Sequence, residues 1–140
     1  MTIYEEDLFK TVEDIIKDKW RPKKRYSKET KYRDDMFGVL RTKIDSKYHM
    51  KKEAGRSLAD IGIDEKVGIE VKYNLSRVSD SDRASGQSMR HMKNYKYGVI
   101  IVCCGKTSQT ELDNLSYSAK IINRAFDDNF KKLMIITKQR

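Results

Sequence analysis

Asp60, Glu70 and Lys72 stand in two short runs rich in β-branched residues, Ser57 to Ile63 and Val67 to Tyr73, with Asp64, Glu65 and Lys66 between them. That pattern predicts a hairpin with a three-residue loop. If Ile63 faces Val67, the pairing continues outward and sets Asp60 directly across from Glu70, where cross-strand Cβ atoms are ~5 Å apart. Lys72, two residues past Glu70, projects from the same face. Ile61, Ile63, Ile69 and Val71 take the other face and pack inward. Two converging carboxylates beside a lysine suit a hard divalent cation: Mg²⁺ prefers carboxylate oxygens, keeps several waters and binds substrate phosphate. Such an ion polarises a phosphoryl group and helps to generate hydroxide from water. Lys72 is placed to orient or deprotonate the attacking water, or to offset charge in the transition state. The same alternation also describes an ordinary solvated strand face, with Asp60 and Lys72 as a cross-strand ion pair.

The surrounding elements must hold those side chains. Tyr4, Leu8, Val12, Ile15 and Ile16 recur at helical spacing, so one amphipathic helix runs to Trp20 and stops before Pro22. A basic connector follows. Ser27 is the expected N-cap of a second helix carrying Tyr32, Met36, Val39, Leu40 and Ile44 on its stripe. A strand is expected from Tyr48 to Glu53, then the hairpin, then a helix from about Asp80 to Asn94. The continuous apolar run from Tyr97 to Cys104 predicts a strand covered on both faces. A helix from about Gln109 to Asp127 and a strand from Leu133 to Thr137 complete the order.

The segment of Asp60, nine intervening residues and Glu70-Val71-Lys72 resembles the signature of the PD-(D/E)XK nuclease superfamily, with Ala59 where that motif often has proline. The element order after Tyr26 resembles the superfamily's α-β-β-β-α-β core over roughly Ser27 to Val102. The resemblance implies an α/β, restriction-endonuclease-like fold: a central mixed sheet flanked by helices, plus the N-terminal helix. It implies that Asp60 and Glu70 ligate Mg²⁺, with Mn²⁺ able to substitute, and that Lys72 is the catalytic lysine. The superfamily often adds a glutamate from the preceding core helix. Glu29 falls at the centre of the stripe of Tyr32, Met36 and Leu40, and an inward acid is costly without a partner. Glu5, which lies among Leu8, Val12 and Ile16, and Glu53, at the end of the first strand, are the other candidates; a snorkelling or helix-end acid accounts for each equally well. The same resemblance brings Gln87 near the active-site lysine or the substrate.

The 140 residues fit one domain, with residues 1–26 as N-terminal helix and basic connector and 27–140 as catalytic core. The net charge of +9 points to a polyanionic partner. Basic residues gather from Lys19 to Arg33, where Trp20, Tyr26 and Tyr32 interleave with Arg21, Lys23, Lys24 and Arg25, and again around Arg77, Arg83, Arg90, His91 and Lys93. These and Arg56 are candidate phosphate contacts, and an interleaved aromatic suits stacking on an unpaired base. His49 and His91 lack metal-ligand spacing to another histidine and are assigned no catalytic role. The adjacent Cys103 and Cys104 are expected to be buried thiols, since strand neighbours point to opposite faces. No apolar run approaches the ~20 residues that cross a bilayer, and Thr2 to Asp7 carries no secretory pattern, so the expectation is a cytoplasmic protein without membrane contact. The function expected is a Mg²⁺-dependent endonuclease acting on DNA, as a homodimer because one site cuts one strand. An RNA-cutting toxin of the same fold and a non-catalytic nucleic-acid-binding module are the competing readings.

Overall fold

A computed structural model describes residues 2–52 and 59–138, with side chains from Leu8 onward. Five strands form one mixed sheet in chain order: β1 (Met50–Lys52), β2 (Ile61–Ile63), β3 (Val67–Tyr73), β4 (Gly98–Cys104) and β5 (Lys132–Lys138). The first three run antiparallel, whereas β3, β4 and β5 are parallel. Parallel neighbours need crossovers, and these are helices α3 (Val78–His91) and α4 (Gln109–Ala125).

Alternation along the strands divides the core in two. Ile61, Ile69, Val71, Ile100 and Val102 pack with Val12, Ile16, Met36 and Leu40 from α1 (Thr2–Asp14), the π-helical turn that continues it (Ile15–Lys19) and α2 (Glu29–Lys43). On the other face, Val99, Ile101 and Cys103 meet Ala84, Leu115, Ala119 and Ile122 of α3 and α4. Every residue of β4 is buried, as its unbroken apolar run predicts. Both cysteines are buried free thiols, pushed up to about 12 by burial.

The hairpin register is the expected one, with Ile61 opposite Ile69 and Ile63 opposite Val67. Asp64 and Glu65 both take positive φ, 51° and 56°, which closes the loop and returns the chain onto Val67. Boundaries moved elsewhere. Lys28, not Ser27, is the N-cap of α2, with no side-chain cap bond. The third helix starts at Val78, because the Asp80 carboxylate accepts from the Arg77 N–H at 3.2 Å and so sits one turn inside it.

Gly68 on β3 is required by packing. A Cβ there would lie 2.6 Å from the Tyr95 ring. The Tyr95 hydroxyl accepts from the Ala59 N–H at 3.1 Å, so the ring that Gly68 accommodates also pins the backbone immediately before Asp60. Gly68→Ala is expected to destabilise the protein by about 1–3 kcal/mol through overpacking, read from a urea midpoint.

Candidate active site

Glu70 and Lys72 alternate with Ile69, Val71 and Tyr73, so β-pleating puts both on the α3-covered face. Glu70 is only 5% exposed there. A buried carboxylate is costly unless it is paired, and Glu70 has two polar neighbours. Oε1 lies 3.4 Å from the Lys72 ammonium, and Oε2 lies 3.1 Å from Nδ1 of His91. The second approach is close but misaligned, and both Oε2 and Nδ1 are buried without a hydrogen-bond partner among the described residues.

Asp60 stands where β2 leaves the ladder. The paired register ends at Ile61 and Ile69, and extending it one step sets Asp60 opposite Glu70. Its carboxylate takes over from the backbone by accepting the Val71 N–H at 2.7 Å. Burial first, and the charge of Glu70 second, raise its pKa from 3.8 to about 6; the Val71 bond and Lys72 pull the other way. This carboxylate therefore sits where a further positive charge would be favourable.

Lys72 donates to Gln87 Oε1 at 2.7 Å, the contact that brings α3 onto the site. Gln87→Met is expected to keep the fold and, should the site hydrolyse phosphodiesters, to lower that cleavage about 10-fold by releasing the ammonium from its position. A metal titration beside the rate separates this loss from weaker cation binding.

Glu29 occupies the first turn of α2. Its side chain is exposed and does not continue the buried stripe of Tyr32, Met36 and Leu40. Partial enclosure by protein raises its pKa, Lys72 lowers it and Glu70 raises it again, so its carboxyl feels both residues of the site. Exposed and within that field, Glu29 occupies the rim. Glu53 and Arg56 lie outside the described residues, as does the Glu5 side chain.

The remaining basic candidates, Arg21, Lys23, Lys24, Arg25, Arg83 and Arg90, are all exposed. Two aromatics of the first patch are not. Trp20 is 1% exposed and donates from Nε1 to Asp35, and Tyr32 is likewise buried, so neither ring is free to stack on a base. A large apolar surface inside a helical layer outweighs the alternation with lysine and arginine that suggested otherwise. His91 is the residue that sequence reasoning missed. It lacks a histidine partner, and its proximity to Glu70 exists only once α3 has folded back over the sheet. The only hint was its position four residues after Gln87, one helical turn along the same face.

Among the described residues, no group of three or more His, Cys, Asp or Glu side chains is arranged to hold a metal ion. Nor is any helix there long and apolar enough to cross a membrane. The chain has the α/β class: a five-stranded mixed sheet with helices on both faces. Comparisons with protein-family models, curated proteins and solved structures found no match.

Proposed function

We propose that this chain is a divalent-metal-dependent nuclease with a restriction-endonuclease-like fold, hydrolysing phosphodiester bonds, in DNA first. The observation that carries this reading is Glu70: a carboxylate 5% exposed on a sheet face, with one oxygen lacking a hydrogen-bond partner among the described residues, opposite a second carboxylate whose pKa is raised to about 6. Two carboxylates crowded in a dry place repel each other, and the single ammonium of Lys72 offsets only one of the two charges, so a second cation is favoured there. Mg²⁺ is commonly held by one or two carboxylates and completes its shell with water and substrate phosphate, so Asp60 and Glu70 suffice without a full protein cage. Mn²⁺ fits the same donors.

When bound, the cation supplies Lewis-acid polarisation of the scissile phosphate. The side chains do the rest. Lys72, held by Gln87 and paired with Glu70, presents its ammonium to phosphate oxygens and offsets the charge that grows on them. Glu29, on the rim, is placed to position a water or a second cation. Exposed Arg21, Lys23, Lys24, Arg25, Arg83 and Arg90 supply phosphate contacts along the strand. A duplex substrate would require two such sites, which makes a homodimer the natural assembly.

The test is a cleavage panel of plasmid, linear, single-stranded and branched DNA and RNA, each with Mg²⁺, Mn²⁺ or EDTA. Metal-dependent cutting of DNA is expected, with EDTA silent. Cutting confined to RNA would replace the substrate. Binding that persists in EDTA with no cutting in either metal would overturn the enzyme in favour of a binding module.

A further inference from the structure

A cavity of about 540 Å³ opens at the carboxyl end of β3, one residue beyond Lys72. Its volume lies in the range of small-ligand sites. Tyr26 and Tyr73, both part-exposed, form its aromatic wall, and the buried Tyr32 backs them, edge-on to Tyr26 at 5.1 Å and tilted against Tyr73 at 5.5 Å. Arg25 and Lys106, both exposed, supply positive charge to its lining. No acid lines it.

The wall is held in place before any ligand arrives. The Tyr26 hydroxyl donates to Asp35 at 2.7 Å, while the Tyr26 N–H donates to the Tyr32 hydroxyl at 3.1 Å, so this ring is tethered at both ends. Opposite it, Asn74 takes a positive φ of 51° and its side chain accepts from the Lys106 N–H at 2.7 Å. Gly105, at φ 73°, closes that turn: a Cβ there would come 2.3 Å from the Asn74 side-chain oxygen. The Thr107 hydroxyl in the same lining is buried and has no hydrogen-bond partner among the described residues. A buried hydroxyl left unmatched favours a state in which a polar edge engages it.

Together these features describe a slot with a π-face, a cationic lining and a spare hydrogen-bonding group. That combination recognises an unpaired nucleobase whose own strand supplies the phosphates. We infer that this cavity receives one unstacked base of a single-stranded or locally opened nucleic acid, while an adjacent phosphate of the same strand lies at Lys72. Pleating places Tyr73 on the sheet face opposite Lys72, one strand residue (~3.3 Å) further on, so the base and the phosphate turn to either side of the end of β3. This inference rests on the nuclease reading for the phosphate, and on the cavity alone for the base.

The probe is a short single-stranded DNA carrying one 2-aminopurine, whose fluorescence falls when it stacks, titrated into the whole protein in EDTA. Quenching on binding is expected, with duplex DNA of the same sequence binding more weakly. Tyr26→Leu should abolish the quenching and weaken binding about 10-fold or more, as loss of a stacking aromatic does. Tyr26→Phe should keep the quenching. A thermal melt of each variant shows that it is folded, and Lys106→Glu, on an exposed side chain, should weaken the same binding should Tyr26→Leu not fold. Unquenched binding, or equal affinity for duplex and single strand, overturns the base slot. Because the titration contains EDTA, its result is separate from cleavage. Quenching without cutting in the metal panel leaves the slot standing and removes the nuclease. Cutting without quenching does the reverse.

Discussion

Lys72→Ala is expected to lower metal-dependent cleavage by about 10²- to 10³-fold at saturating substrate, the usual loss when one preorganised charge on a transition state is removed. The ammonium lies 3.4 Å from Glu70 and 2.7 Å from Gln87, so its position does not depend on substrate. The variant also leaves the Glu70 carboxylate with only His91 beside it. Removing one member of a pair this deeply placed costs about 3 kcal/mol or more, so the metal-free protein should unfold at distinctly lower urea. Mg²⁺ should restore much of that stability, because a cation at Glu70 replaces the missing charge. Stopped single-turnover cleavage and urea titrations with and without Mg²⁺ read both effects. Wild-type cleavage in the variant would remove Lys72 from the chemistry, and a stability loss that Mg²⁺ does not touch would remove the cation from Glu70.

Asp60→Asn should do something unusual for a half-buried position: abolish cleavage and stabilise the metal-free fold at pH 8. In the folded protein, burial and the charge of Glu70 hold the Asp60 pKa at about 6, against 3.8 for an ordinary aspartate. The folded state therefore binds this proton more tightly than the unfolded chain. Its contribution to stability is present in full below about pH 4 and is lost as pH rises through about 6. With each unit worth about 1.4 kcal/mol, the loss approaches 3 kcal/mol by pH 8. Asparagine keeps an oxygen for the Val71 N–H and carries no charge, so it should recover up to that amount and flatten stability between pH 4 and 6. It should also remove the stabilisation by Mg²⁺ that the proposed metal site predicts for the wild type above pH 6. Thermal melts across pH, with and without Mg²⁺, make the comparison. An asparagine variant less stable than wild type at pH 8 would mean that the carboxylate serves the fold and not a cation.

Much of the fold could be read along the chain because its signals are local. The β4 run from Val99 to Val102 has no polar residue and is rich in β-branched side chains, the mark of a strand covered on both sides. The hairpin followed from alternation on either side of Asp64, Glu65 and Lys66, and because the side-chain period is two, a one-residue slip would have sent Ile61 and Ile69 to the wrong face. Register and facing relate Asp60, Glu70 and Lys72 without any tertiary contact. Helix ends were less legible. Ser27 has a capping side chain but does not cap, and the Asp80 carboxylate caps from within the first turn.

The chemistry at β3 was thus determined by sequence: two acids and a lysine on one face, set by strand pleating, which acts over a few residues. What tertiary structure decided is everything brought in from a distance. Only the crossover of α3 over the sheet puts Gln87 against Lys72 and buries His91 beside Glu70. Only the layer of α1 and α2 turns Trp20 inward, and only the meeting of the α2 N-terminus with the ends of β3 and β4 builds a tyrosine-walled cavity next to the lysine. Local periodicity assigns a residue to a face; which face meets which depends on burying the apolar area of whole elements, and that balance has no short-range signature.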